Sequence, residues 1–363
     1  MRRDMLLQGS TIESALPELR SAAAALTAIS FDRVVITGSG DSYIAAVAVE
    51  ALFQRHLDVP VIALPALDAS RYRRPKAADL TLVISVSGEV SRGIEVAKAA
   101  RAAGAMVVAV TSSAQSSLAQ SSDLVVATPA PIDRSIPHCR DYSLTLLALA
   151  CALEALCRRR FGELDALPLL VGALVEPSMK EAASLPATSG RTWFLGAGPD
   201  RATAMYGSMK YWEAAGLESW WDDLEEFGHG SQLMAKPGDR AVVIAAGSGC
   251  QRGIEMAPGL ERMGLDVVLV GGSAFAGLGR THLATSDRLD SVWHPFVASI
   301  PLQGLAYAEA SSRRLDVAIV LDGQAHGPVY DEVHAEWTRQ SRIVTADDSS
   351  DAAHADGVGN EMP

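Results

Sequence analysis

The sequence predicts an α/β protein built from two doubly wound parallel sheets, and two observations lead to this prediction. Short apolar runs, typical of buried parallel strands, alternate with helical patterns over most of the 363 residues. The alternation also repeats, because the stretch 35–41 (Val-Ile-Thr-Gly-Ser-Gly-Asp) resembles the stretch 193–199 (Trp-Phe-Leu-Gly-Ala-Gly-Pro). A duplicated α/β unit is the simplest explanation of both observations.

The first half contains four apolar runs, which predict strands at 34–36, 80–84, 106–110 and 124–126. Helical patterns follow two of them, at 42–55 and 90–103, in the order expected of a right-handed doubly wound sheet. A helical segment is predicted at 1–30 and a helical connector at 142–170. The apolar stretch 144–156 is too short to span a membrane and is predicted to be a buried helix. The first domain is predicted to cover 31–170.

The second half shows the same kind of pattern. Strands are predicted at 193–195, 241–245 and 267–270, with a candidate fourth at 292–296, and helices at 201–216 and 251–263. The second domain is predicted to cover 171–345. The polar residues 346–363 have little to bury and are expected to form a flexible tail.

Charge and cysteine content exclude several classes of function. A net charge of −12, with one basic cluster at 158–160, argues against a nucleic-acid partner, although a small anion can still bind local N–H groups and hydroxyls. The four cysteines lack Cys-x-x-Cys spacing, which argues against zinc and indicates a reducing cytoplasm. No apolar run follows the basic N-terminus, so neither a signal peptide nor a membrane partner is expected. No metal and no other cofactor is expected.

Two loops at predicted strand ends in the first half are rich in glycine and serine, at 38–42 and 85–91. Glycine lets the backbone approach a ligand, and the helix that follows directs free N–H groups at an anion. Each loop alone could be an ordinary helix cap, but two of them on neighbouring strand ends favour a phosphate site. The candidate phosphate-binding residues are Ser39, Gly40, Ser42, Ser85, Ser87, Gly88 and Ser91.

The corresponding loops of the second half, at 196–199 and 247–250, carry fewer hydroxyls, so the phosphate is assigned to the first half. The paired glycines could also suggest a dinucleotide fingerprint. The third glycine and the acidic residue at the end of the second strand are missing, which argues against that alternative.

The two serine loops resemble the sugar-phosphate loops of sugar isomerase (SIS) domains. From 31 to 345 the chain is similar to the isomerase half of the glutamine–fructose-6-phosphate amidotransferases and to the fructosamine-6-phosphate deglycases. The resemblance implies two tandem SIS domains, each a flavodoxin-like parallel sheet in a three-layer α/β/α sandwich. It also implies a phosphorylated sugar as the ligand and no glutaminase half.

The resemblance also implies catalytic roles in the second half. The segment 209–213 matches a Lys-x-x-Glu motif and 226–230 a His-Gly motif at the family spacing. Glu213 corresponds to the base that moves a proton between C1 and C2, Lys210 to its charged partner, and His229 to a ring-opening group from the neighbouring subunit. Taken singly, the first two also fit a solvated helix pair and His229 a helix end. As a spaced set beside a phosphate loop they favour catalysis.

One position departs from the amidotransferase pattern, because the lysine that forms a Schiff base is replaced by arginine, best aligned as Arg342. Arginine stays protonated and cannot form an imine, so glutamine-dependent synthesis is not expected. The deglycases, in turn, lack an equivalent of Lys210. Further polar groups that could complete the pocket are Glu226, His326, His334 and Arg342.

The expected function is that of a sugar-phosphate-processing SIS enzyme, either an aldose–ketose isomerase or an amino-sugar-phosphate deaminase/isomerase. A deglycase, a non-catalytic sugar-phosphate sensor and an enzyme of an unusual sugar remain alternatives. The resemblance implies a homodimer with composite active sites, and the adjacent Trp220 and Trp221, in a predicted loop before His229, favour an interface.

Overall fold

The computed structural model of the chain describes residues 1–129, 137–315 and 327–339. It contains two five-stranded parallel sheets with the same strand order. The first has the order β2-β1-β3-β4-β5, with β1 (Arg33–Gly38), β2 (Val61–Pro65), β3 (Asp79–Ile84), β4 (Met106–Thr111) and β5 (Leu124–Ala127). The second has the order β7-β6-β8-β9-β10, with β6 (Thr192–Gly196), β7 (Ser219–Asp223), β8 (Arg240–Ile244), β9 (Asp266–Gly271) and β10 (Thr281–Ala284). The predicted pair of doubly wound units is confirmed.

Helices cover both faces of each sheet. In the first half they are α1 (Arg2–Leu6), α2 (Gln8–Ala23), α3 (Asp41–His56), α4 (Ala66–Arg71), α5 (Ser91–Ala102) and α6 (Ser117–Gln120). The connector is α7 (Arg140–Cys157) and α8 (Gly162–Ser184), and the second half has α9 (Asp200–Ala215), α10 (Gly249–Arg262), α11 (Pro295–Ser312) and α12 (Gly327–Arg339). No helix within the three described ranges is long and apolar enough to cross a membrane.

Alternate strand residues face opposite helical layers, as the period of a strand requires. Val34 and Leu82 pack in the same core as α2, α3 and α7, whereas Val35 and Val83 pack in the core that contains α4 and α5. The second sheet has a separate core on each face in the same way. The predicted three-layer arrangement is therefore confirmed.

Three local predictions are wrong or incomplete. The stretch 292–296 is not a strand but a turn leading into α11, because Pro295 cannot donate to a ladder and suits the first turn of a helix. Trp220 and Trp221 lie not in a loop but in the edge strand β7. The connector is two helices, with Arg158 in the left-handed conformation where α7 ends. The predicted domain limits stay predictions, and the tail 346–363 lies outside the described residues.

The two halves meet where α3 packs against α9. The rings of Tyr142 in α7 and Tyr206 in α9 stack with their centroids 4.1 Å apart. The Gln303 side-chain amide in α11 donates a hydrogen bond of 3.0 Å to the Tyr206 hydroxyl. Side chains of the second half are thereby held next to the strand ends of the first.

Candidate functional site

A cavity of about 250 Å³ lies at the carboxyl edge of the first sheet. Four hydroxyl-bearing residues of the two predicted loops line it: Ser39, Ser42, Ser85 and Ser87. The loops converge because β1 and β3 are neighbours in the sheet and each is followed by a turn into a helix, α3 and α5. The structure therefore brings these four serines to one cavity, and their role in binding phosphate stays a prediction.

Gly40 and Gly88 determine the shape of the two loops but do not line the cavity. Gly40 has a φ of 57° and Gly88 a φ of 70°, which side chains rarely adopt. A Cβ on Gly88 would also lie 2.1 Å from the Ser116 hydroxyl oxygen. The Ser85 hydroxyl accepts a hydrogen bond of 3.1 Å from the Gly88 N–H, so this loop is held by its own contacts. The roles of these two glycines are consequently conformational.

Ser91 lies away from the other predicted serines' cavity. Its hydroxyl donates a hydrogen bond of 3.0 Å to the carbonyl of Thr338, which attaches α12 to the N-terminus of α5. His334, also in α12, is exposed and does not line the cavity. His326 and Arg342 lie outside the described residues.

A buried ion cluster lies beside the cavity. Lys210 in α9 has no solvent exposure, and its Nζ lies 2.7 Å from Asp41 Oδ2 and 2.5 Å from Glu213 Oε2. The same nitrogen lies 3.4 Å from the carbonyl oxygen of His138 and 5.0 Å from the ring centroid of Tyr206. Lys210 and Glu213 are therefore not the solvated helix pair that their spacing also allowed.

Burial and charge act in opposite directions within this cluster. Burial lowers the pKa of Lys210, but the two carboxylates outweigh it, so the pKa is raised overall and the amine stays charged. Burial also raises the pKa of Glu213 above its ordinary value, against the lowering effect of Lys210. Glu213 does not itself line the cavity, whereas Asp41 does, so the cluster meets the cavity through Asp41.

The cavity wall formed by α7 and the residues just before it was not predicted from the sequence. It consists of His138, Asp141, Tyr142 and Thr145. His138 Nδ1 lies 3.0 Å from Asp141 Oδ2. This hydrogen bond, more than any other influence, raises the pKa of His138, while burial opposes it. The spacing of a histidine and an aspartate three residues apart at a helix start was the available signal.

His229 is not placed at the cavity of its own chain. It ends a 3₁₀ turn, Glu226–His229, its side chain is 67% exposed, and its Nε2 lies 3.6 Å from Glu225 Oε1. Neither His229 nor the exposed Glu226 lines the cavity. Within one chain the structure thus brings the four cavity serines close to Lys210 and Glu213, but it does not bring His229 there.

The corresponding edge of the second sheet has different chemistry. Asp200 follows Gly196 by four residues, as Ser42 follows Gly38, and both residues lie in the first turn of a helix. Asp200 Oδ2 lies 2.6 Å from Nδ1 of His294, and each side chain is only 1% exposed. His294 Nε2 lies 2.8 Å from the Thr285 hydroxyl, and the Thr203 hydroxyl donates to the other Asp200 oxygen at 3.0 Å. This edge is occupied by a buried, mutually paired network.

Comparison with known proteins agrees with this geometry. Residues 29–155 match the SIS domain family. These residues form an SIS domain. Over a longer stretch of 305 residues the chain is 26% identical to the isomerizing glutamine–fructose-6-phosphate aminotransferase of Zymomonas mobilis. This alignment covers 78% of the chain and 50% of that relative. The chain thus spans about half the length of the curated relatives it matches, and the predicted resemblance to that family is confirmed.

Solved structures show the same fold for nearly the whole chain. A glucosamine-6-phosphate deaminase from Thermotoga maritima aligns with a TM-score of 0.73 and 19% identity, over 87% of this chain and 97% of that one. A tagatose-6-phosphate ketose/aldose isomerase from Escherichia coli aligns with a TM-score of 0.72 and 16% identity, over 86% and 92%. At these identities the likeness establishes the SIS fold and not the reaction.

Proposed function

We propose that the protein is a sugar-phosphate isomerase of the SIS type, which moves a proton between C1 and C2 of an open-chain sugar phosphate. The supporting observation is the hydroxyl-lined cavity next to the buried cluster of Asp41, Lys210 and Glu213. An aldose–ketose isomerase and an amino-sugar-phosphate deaminase/isomerase both need this proton transfer. The names of the relatives, which all concern sugar phosphates or amino sugars, support the same class.

In this proposal the phosphate binds to the serine loops. Hydroxyls of Ser39, Ser42, Ser85 and Ser87 donate hydrogen bonds, and α3 and α5, of 16 and 12 residues, present their N-termini to the anion. His138 adds positive charge when it is protonated, which its hydrogen bond to Asp141 favours. A negative net charge of the whole protein does not oppose this local recognition.

Glu213 is the proposed base. Its carboxylate removes the proton from C2 of the aldose, the C2–H electron pair forms the C1=C2 bond, and the π pair of the C1 carbonyl moves to O1. The O2 hydroxyl proton passes to O1, and the proton held by Glu213 returns to C1 as the C1=C2 pair takes it up and C2=O of the ketose forms. Lys210 already occupies Oε2, so Oε1 is the proposed proton acceptor. Burial raises the pKa of Glu213, which makes the carboxylate a stronger base near neutral pH. The charge of Lys210 would stabilise the negative charge that develops on the enediol.

His229 is proposed to act in the site of a neighbouring subunit of a homodimer, where it would open the sugar ring. It is 67% exposed and does not line the cavity of its own chain. The nearby Trp220 and Trp221 are 41% and 40% exposed, and Leu233 is 87% exposed. Exposed apolar side chains of this size are typical of interface cores. We propose the cytoplasm as the compartment, since all four cysteines are free thiols.

A sugar-phosphate sensor is the second candidate. It is favoured by one observation, namely that Glu213 lies outside the cavity lining and is held by Lys210. A sensor would need the serine loops but would have no use for a base.

The two candidates are separated by incubation in D₂O with glucose 6-phosphate, fructose 6-phosphate and glucosamine 6-phosphate, followed by NMR. Interconversion with deuterium entering at C1 or C2 supports the isomerase, and ammonia release from the amino sugar identifies the deaminase. Thermal stabilisation by the ligand without deuterium exchange indicates a sensor. If none of the three ligands raises Tm or exchanges deuterium, the proposal of a hexose-phosphate enzyme is wrong.

The composite site is tested by mixing two inactive variants, Glu213→Gln and His229→Ala. Heterodimers would contain one complete site, so activity should return to roughly a quarter of the wild-type value if the subunits exchange at random. Sedimentation of labelled subunits first establishes that exchange occurs. If exchange occurs and activity stays absent, each site belongs to a single chain.

A further inference from the structure

Two buried polar atoms at the cavity have no hydrogen-bond partner within the described ranges. They are Oδ1 of Asp41 and the hydroxyl oxygen of Tyr142, and both residues line the cavity. Buried polar atoms in folded proteins are nearly always paired, because leaving one unpaired destabilises the fold. Seven other buried side-chain atoms in the described ranges are unpaired as well, but Asp41 and Tyr142 both line this cavity, where a ligand group can complete them.

The positions of both side chains are fixed by other contacts. Asp41 is held through its second oxygen, Oδ2, which accepts a hydrogen bond of 2.7 Å from Lys210. Tyr142 is 2% exposed, and its ring stacks on Tyr206 with centroids 4.1 Å apart. Neither side chain can turn away to find another partner without breaking these contacts.

The chemistry of the two atoms identifies the missing group. A carboxylate oxygen only accepts hydrogen bonds. Burial, followed by the charge of Asp41, raises the pKa of Tyr142, so its phenol keeps its proton and can donate. A carbonyl or phosphate oxygen would accept from Tyr142 but be repelled by Asp41. A hydroxyl can donate to Asp41 and accept from Tyr142 at the same time.

We propose that Asp41 and Tyr142 bind one hydroxyl group of the sugar. The inference rests on the proposed function, since it assumes that a sugar phosphate occupies the cavity. It adds a second anchoring point beside the phosphate, and this point is linked to Glu213 through the two ion pairs that Lys210 makes with Asp41 and with Glu213. Asp41 and Tyr142 are thus specificity-determining residues.

The test compares wild type with Tyr142→Phe by calorimetry. The ligands are glucose 6-phosphate, its 1-, 2-, 3- and 4-deoxy analogues and inorganic phosphate. Tyr142→Phe should lower the affinity for glucose 6-phosphate about 5- to 10-fold, which is the effect of losing one buried hydrogen bond. It should have no effect on the one analogue that lacks the bound hydroxyl, nor on inorganic phosphate. Asp41→Asn should lower the affinity for the ligands that carry the bound hydroxyl about tenfold or more, because a charged acceptor is lost.

Two further measurements distinguish ligand binding from a structural role. Without ligand, Tyr142→Phe should keep or raise Tm, because it removes an unpaired buried hydroxyl. Tyr211→Phe removes a buried phenol outside the cavity and should leave every affinity unchanged. The inference is overturned if Tyr142→Phe weakens all deoxy analogues equally or weakens none of the ligands. If wild type binds none of the sugar phosphates, the proposed function is wrong and the inference is overturned with it.

Discussion

The two halves of the molecule share a strand order and a glycine turn, yet their carboxyl edges differ completely. In the first half Ser42 and three other serines leave a cavity of about 250 Å³. In the second half Asp200 occupies the position of Ser42 and pairs with His294, with both side chains 1% exposed. The residue at this one position after the glycine turn, serine or aspartate, therefore differs between the half with an open cavity and the half whose edge is filled.

This difference shows how a duplicated fold can divide its tasks. The second half has filled its own strand ends, but its helix α9 supplies Lys210 and Glu213 to the edge of the first half. The cluster is completed by Asp41 of the first half, across the contact between α3 and α9. In our account binding belongs to the first half and proton transfer to the second.

The largest expected effect comes from breaking the contact between the halves with Lys210→Met. The variant would leave the carboxylates of Asp41 and Glu213, which are 23% and 24% exposed, without their fully buried cation. Removal of one partner from a buried ion pair costs about 3–5 kcal/mol, so the free energy of unfolding, measured in urea, should fall by that amount. Lys236→Met, at an exposed lysine of the second half, is the matched control and should change stability by less than about 0.5 kcal/mol. A loss at Lys210 as small as in the control would mean that the cluster does not join the halves.

Ser42→Asp makes the first half resemble the second at the position that distinguishes them. The new carboxylate would repel the phosphate and fill the cavity, so affinity for a sugar phosphate should fall by about a hundredfold or more. Ser42→Ala removes only the hydroxyl and should cost roughly tenfold or less. Calorimetry with inorganic phosphate and a hexose phosphate measures both. Unchanged affinity in Ser42→Asp would place the phosphate elsewhere.

A smaller effect is expected from pH, through His138. Its pKa is raised above the ordinary value of about 6.5, chiefly by Asp141, so its charge is fully present below 6.5 and is lost as the pH rises through the raised value. Lys210 and Glu213 are the other charged groups acting on it, and they oppose each other. Affinity for phosphate should therefore fall roughly 3- to 10-fold on the alkaline side, a modest effect because solvent screens a histidine that is 33% exposed.

The variant His138→Gln should lose this alkaline decrease, whereas His56→Gln, at a histidine that packs on Phe161 away from the cavity, should keep it. The acid side is set by the phosphate itself, which becomes a dianion above a pH of about 6. An alkaline decrease that survives in His138→Gln would assign it to another group.

Much of the fold could be predicted from local sequence patterns, and the strands that were not predicted have identifiable physical features. Central strands such as β1 and β8 are apolar on both faces and gave clear runs. Among the edge strands, β5 gave an apolar run at 124–126, whereas β2, β7 and β10 were not predicted. Strand β2 is short and apolar, follows Pro60 and ends at Pro65, while β7 and β10 include polar residues, and β7 carries the exposed Trp220 and Trp221. The serine loops could be predicted because glycine and hydroxyls follow strands directly.

The rest of the site depends on residues that are distant in sequence. Asp41 and Lys210 are 169 residues apart, and Asp200 and His294 are 94 residues apart, so no local pattern predicts either pairing. His138 and Asp141 are close in sequence, but only the packing of α7 shows that they face the serine loops. The roles taken from family motifs, Glu213 and His229, stay predictions for experiment.

The central claim is that binding and proton transfer reside in different halves, and Glu213→Gln tests it most directly. Two quantities would be measured on the same protein: the Kd for a sugar phosphate that wild type turns over, and the rate of deuterium entry at C1 or C2 in D₂O. Glu218→Gln, at a glutamate whose side chain is 64% exposed, is the control. We expect the exchange rate of Glu213→Gln to fall about 10²- to 10⁴-fold while Kd changes by less than about threefold. Exchange at the wild-type rate, or a loss of binding as large as the loss of exchange, would contradict the account.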